Sequence, residues 1–145
     1  MNAKGFRIEH DLLGEKEVPA DCYYGVQTLR AVENFQISGI RLGRYRFMIR
    51  SLAYIKKAAA RANAKLGLLP EDVARAVSHA CDELLAGKYE DQFVVDMIQG
   101  GAGTSSNMNA NEVIANIALE KLGYEKGRYD IIHPNNHVNM CQSTN

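Results

Sequence analysis

The chain has 145 residues, enough for one domain with its own hydrophobic core, and its 17 basic and 17 acidic side chains give a formal net charge of zero. No basic stripe alternates with aromatics, and no apolar run approaches the roughly 20 residues of a membrane helix, so neither nucleic acid nor a membrane is an expected partner. The charged start, MNAKGFRIEHDLLGEKEVP, has no apolar stretch of a secretory leader, and Cys22, Cys81 and Cys141 are widely spaced without a CxxC pair; both fit a cytoplasmic protein with reduced thiols.

In chain order, Phe6 to Val18 reads as two short extended pieces around a turn at Leu13-Gly14-Glu15, closed by Pro19. Val26, Leu29, Ala31 and Val32 in YGVQTLRAVENF predict a short helix, and Ser38-Gly39 break the chain after it. The clearest helix runs from about Arg44 to Leu66. Met48, Leu52, Ile55, Ala59, Ala62 and Leu66 recur every three or four residues as one apolar stripe, with Lys56, Lys57, Arg61 and Lys65 on a solvated face. Gly67 suits the position just past a helix end. Pro70, Glu71 and Asp72 then fit a first turn, and Val73, Val77, Cys81 and Leu84 form the buried stripe of a helix that Gly87 ends. A third helix is predicted from about Ser106 to Leu122, before Gly123, and HVNM reads as the first turn of another after Pro134-Asn135-Asn136. The expected fold is mainly α with a small N-terminal β ribbon.

Two polar clusters carry the chemistry. Gly100, Gly101 and Gly103 allow the backbone to approach a ligand closely, and the next helix presents unpaired N–H groups at the positive end of its dipole. Thr104, Ser105, Ser106 and Asn107 add side-chain donors there, an arrangement suited to a carboxylate or phosphate without any lysine. Helix capping alone accounts for one or two of these residues. Gln142, Ser143, Thr144 and Asn145 form the second cluster, which fits a solvated terminus or, taken with the first, recognition of a small dianion. The sequence stops inside this cluster, and more protein is expected after Asn145. His133 and His137 have i, i+4 spacing, but Pro134 intervenes and no third ligand is evident, so no metal is expected. His79, Tyr23 and Tyr24 read as packing or surface residues. GGAGTS lacks the lysine of a phosphate-binding loop, which argues against a nucleotide.

Three stretches carry a family resemblance: GEKEVPADCYYGVQTLRAVENFQIS, DQFVVDMIQGGAGTSSNMNANEVIANIALE and HPNNHVNMCQSTN. Together they resemble the aspartase branch of the aspartase/fumarase superfamily over nearly the whole chain. The resemblance implies that residues 1–145 are the N-terminal helical domain of a lyase, with a central helical bundle and a C-terminal domain beyond it, assembled as a homotetramer whose active sites each draw on three chains. Thr104 matches the substrate-binding threonine of the first region. Ser143, Thr144 and Asn145 match the polar trio that holds the carboxylate and amino groups of L-aspartate. His133 to Asn136 resembles a peripheral anion site of class II fumarases, although Asn136 stands where an aspartate is usual.

The implied reaction is the reversible, cofactor-free deamination of L-aspartate to fumarate and ammonia. A loop serine removes the proton beside the β-carboxylate, and preorganised donors stabilise the enolate-like dianion before ammonia leaves. That loop, with its GSSxMPxKxN signature, is not in this sequence, so no catalytic residue is assigned within it and the 145 residues alone are expected to be inactive. A class II fumarase, hydrating fumarate to malate, is the alternative, and the GGAGTS and CQSTN wording favours the aspartase. A third reading takes the chain as a non-catalytic helical assembly domain.

Overall fold

The computed structural model describes residues 5–143. β1 (Phe6–Asp11) and β2 (Gly14–Pro19) pair antiparallel from Phe6 opposite Pro19 to Asp11 opposite Gly14. The turn falls one residue earlier than expected, at Leu12-Leu13, where the Asp11 carboxylate accepts the Leu13 N–H at 2.9 Å. One residue of each strand is fully buried, Val18 and, unusually, Glu9.

Four helices follow: α1 (Val26–Asn34), α2 (Arg46–Lys65), α3 (Glu71–Leu85) and α4 (Thr104–Lys121). α3 buries Val73, Val77, Cys81 and Leu84 as predicted, together with Ala74, Ala76 and Ala80. At the end of α2, Gly67 adopts φ +72°, its N–H bonds Ala64 and the Leu68 N–H bonds Asn63. This left-handed closure satisfies two terminal carbonyls, and glycine is the residue that adopts it without a Cβ penalty. The same arrangement closes α3 and α4.

The buried face of α2 differs from the predicted one. Ile49, Ala53, Lys56, Ala60 and Asn63 face the domain. Met48, Ile55 and Leu66 are 38%, 56% and 72% exposed. Both rows have helical spacing, offset by one residue, so periodicity alone did not separate them. α2 packs on α3, and Ala53 and Ala60 join the buried Ala74, Ala76 and Ala80 of α3 in one core.

α4 is the centre of the fold: every residue from Ser106 to Leu119 is buried. A helix so enclosed has no polar face, and its asparagines must find partners inside. Asn109 accepts the Val94 N–H at 2.9 Å and donates to the Gln92 carbonyl at 3.0 Å. Asn116 accepts the Gly127 N–H at 2.8 Å and donates to the Tyr23 carbonyl at 2.8 Å. After α4 the chain makes a single wide helical turn, Pro134–Val138, in place of the predicted helix start. The wide turn is closed by bonds from Val138 to His133 and from Asn139 to Pro134.

Candidate functional site

The first turn of α4 begins after Gly103, held at φ +93°. The four donors grouped there by sequence separate into two kinds. Ser106 and Asn107 are buried, whereas Thr104 and Ser105 are half-buried. Gln99 grips the turn from the preceding loop: its amide oxygen accepts the Ser106 N–H at 2.9 Å and its amide nitrogen donates to the Ser106 hydroxyl at 2.9 Å. Ser106 is therefore committed to holding the glycine loop against the helix, and Asn107 points into the domain.

Asn107 meets a residue that sequence reading assigned to solvent. Lys56 is 2% exposed, and its ammonium donates to the Asn107 amide oxygen at 2.6 Å and to the Asn139 amide oxygen at 2.7 Å. Asn139 also accepts from the side-chain amides of Asn107 at 3.0 Å and Asn111 at 3.3 Å. Its own amide nitrogen donates to the carbonyls of Gln142 at 3.3 Å and Ser143 at 3.5 Å. Two turns further along α2, Asn63 donates to the Met140 carbonyl at 3.0 Å. The two polar clusters are thus joined through a buried amide network centred on Lys56. Among the described residues its partners are amide oxygens, with no carboxylate paired to it. Burial lowers the Lys56 pKa to about 8. The one signal in the sequence was its spacing from Ile49, Ala53 and Ala60.

Of the predicted binding residues, Thr104 is the first residue of α4 and Ser143 is exposed at the end of the 139–143 segment. Thr144 and Asn145 lie outside the described residues. Gln142 turns back on its own segment, donating to the carbonyls of Val138 at 2.9 Å and Met140 at 3.2 Å.

The histidine pair is occupied locally. His133 Nδ1 accepts the backbone N–H groups of Asn135 at 3.0 Å and Asn136 at 3.3 Å, capping the wide turn. His137 Nδ1 accepts the His133 N–H at 2.8 Å. Burial lowers both imidazole pKa values, so each nitrogen stays an acceptor over a wider pH range. Among the described residues no group of three or more His, Cys, Asp or Glu side chains is placed to hold a metal. Asn135 and Asn136 are exposed.

His133 and Asn135 border a cavity of about 650 Å³ whose wall includes Glu9, Glu112 and Tyr129. There the N-terminus of α1 lacks a cap of its own and is held by two distant carboxylates. Glu9 accepts the Val26 N–H at 2.8 Å, and Glu112 accepts those of Gly25, Gln27 and Thr28 at 2.8, 2.9 and 3.0 Å. Burial, with Glu9 close by, raises the Glu112 pKa to about 7. Glu112, in the middle of α4, is a buried structural acid.

The domain thus sets a glycine loop ahead of neutral donors at the head of a buried helix. A family model described as lyase matches residues 14–145, and the chain belongs to that family. It is 65% identical over 139 residues to an aspartate ammonia-lyase of Pseudomonas aeruginosa, covering 96% of this chain and 29% of that protein. It superposes with TM-score 0.94 and 58% identity on a Brucella melitensis structure titled fumarate lyase:delta crystallin, over 96% of this chain and 32% of that one. A class II fumarase from Schistosoma mansoni matches with TM-score 0.86 and 37% identity, over 96% of this chain and 29% of that one. The chain thus spans about three tenths of the length of the relatives it matches.

Proposed function

We propose that this chain is the N-terminal domain of a homotetrameric, cytoplasmic aspartate ammonia-lyase, which converts L-aspartate reversibly to fumarate and ammonia. The observation that carries the reading is the buried network that joins Asn107, in the helical turn that Thr104 opens, to Asn139, whose side chain holds the Ser143 carbonyl. The identity to the Pseudomonas aeruginosa aspartate ammonia-lyase, well above that to the class II fumarase, supports ammonia over water as the leaving group.

The donors belong to the binding half of the reaction. In the elimination a base removes a proton from Cβ, the Cα–N bond breaks and ammonia departs, with negative charge passing through the neighbouring carboxylate. Hydroxyl and amide donors aimed at that carboxylate strengthen as its charge grows, which lowers the barrier and not only the binding energy. Thr104 and Ser143 are assigned this role, with Thr144 and Asn145 completing the set; His133 and Asn136 are assigned to a peripheral anion site. The deciding measurement is ammonia release by the full-length protein from L-aspartate, beside fumarate formation from malate. Turnover of malate alone would make it a fumarase.

A further inference from the structure

We infer that Lys56 is a positioning residue for the substrate-binding donors: its ammonium ties the first turn of α4 to the 139–143 segment and holds Thr104 and Ser143 in register for a C4 dicarboxylate. This rests on the deamination reading above. The geometry is specific. Asn107, one partner of Lys56, lies three residues after Thr104, which places both on the same side of α4. Asn139, the other partner, uses its amide nitrogen to hold the carbonyls of Gln142 and Ser143. A single side chain from α2 therefore touches the residues that orient each of the two segments, 51 and 83 positions away in sequence.

A lysine is a poor choice for filling this space. Burying a cation is costly unless it is paired, and an aliphatic residue of similar length would occupy the same volume without that cost. What the ammonium adds is directional: it draws two amide oxygens to one point, so that the Asn107 amide nitrogen closes on the Asn139 oxygen and the Asn139 amide nitrogen is turned to the carbonyls of Gln142 and Ser143. Among the described residues no carboxylate is paired with it, so its positive charge lies behind donors assigned here to an anionic substrate. In a low-dielectric interior that field adds to the pull of the N–H groups at the head of α4. Half-buried Lys57, the next residue, forms an ion pair with Asp82 and takes no part in the network.

The test uses the full-length protein with Lys56→Met, Asn139→Asp and, as a reference, Thr104→Ala. Each is assayed for L-aspartate kinetics, for thermal stability and, by calorimetry, for binding of succinate, a non-reacting dicarboxylate. Lys56→Met is expected to raise KM for L-aspartate and Kd for succinate at least ten-fold together. A purely structural role lowers Tm and the active fraction, and so kcat, while KM and Kd stay put. Should Lys56→Met be insoluble, Asn139→Asp still offers the ammonium an acceptor of similar size but cannot donate to Gln142 and Ser143, and the same rise is expected. Unchanged KM and Kd in whichever variant folds, or insolubility of both, overturns the assignment. A wild-type protein that releases no ammonia yet loses succinate affinity on Lys56→Met sinks the deamination reading and keeps the positioning role.

Discussion

The Glu112 carboxylate, in the middle of α4, accepts the Gly25 N–H at 2.8 Å across 87 positions of sequence. The contact is close because position 25 has no side chain. A Cβ built there would lie 2.5 Å from the Tyr129 hydroxyl, 2.6 Å from a Glu9 oxygen and 2.9 Å from the Glu112 carboxyl carbon. Gly25→Ala is therefore expected to lower stability by about 1–3 kcal/mol, the usual cost of overpacking a filled interior. Chemical denaturation of the variant checks this, and a midpoint unchanged from wild type would mean that the carboxylates swing aside freely.

Glu112 also makes a prediction about pH. Its pKa rises from an ordinary 4.5 to about 7 in the folded protein. The native state then holds a proton that the unfolded chain has released, and its contribution to stability is complete below pH 4.5 and lost as pH climbs to about 7. His133 and His137, whose pKa values are lowered, act in the opposite sense as pH rises toward 6.5. The difference between wild type and Glu112→Gln isolates the carboxyl: wild-type Tm should fall relative to the variant between pH 4.5 and 7. Parallel curves would show that Glu112 is ionised throughout.

Asp96 predicts the reverse dependence at the acid end. Its carboxylate accepts the Ser38 hydroxyl at 2.6 Å and the N–H groups of Ser38, Gly39 and Ile98 at 2.9, 2.8 and 2.8 Å. These bonds, the Ser38 hydroxyl first, hold its pKa well below the ordinary 3.8. Its stabilising effect is present above that value and lost as pH falls toward the depressed pKa. Asp96→Asn should lower Tm at pH 7 and remove part of the acid-induced loss, readable as a shallower Tm slope below pH 4.

At the proposed site, Thr104→Ala in the full-length protein is expected to lower kcat/KM for L-aspartate by about 10- to 1000-fold, the range a single oxyanion-type donor supplies. Tm should barely move, because the hydroxyl is half-buried and Gln99 holds the turn through Ser106 instead. Unchanged kinetics would remove Thr104 from the site. A large drop in Tm would make it a helix cap.

Local chemistry settled a good part of this fold before any contact was known. The capped run from Glu71 to Leu85, the glycines past three helix ends and the β ribbon all follow from the periodicity, turn preference and terminal hydrogen bonding of a few adjacent residues. The glycine loop and the hydroxyls after it likewise announced a donor-rich helix start. The tertiary structure alone decided which row of α2 turns inward: the inward row carries Lys56 and Asn63 and is the less apolar of two rows of equal spacing, and the partners that satisfy those two side chains come from other elements. It also decided the fates of Lys56, Glu112 and Ser106. A charged or polar side chain is buried only when partners satisfy it: those of Lys56 and Glu112, Asn107 with Asn139 and the α1 backbone, lie far along the chain and come together only when the helices pack, while Gln99 reaches Ser106 from the loop just before α4.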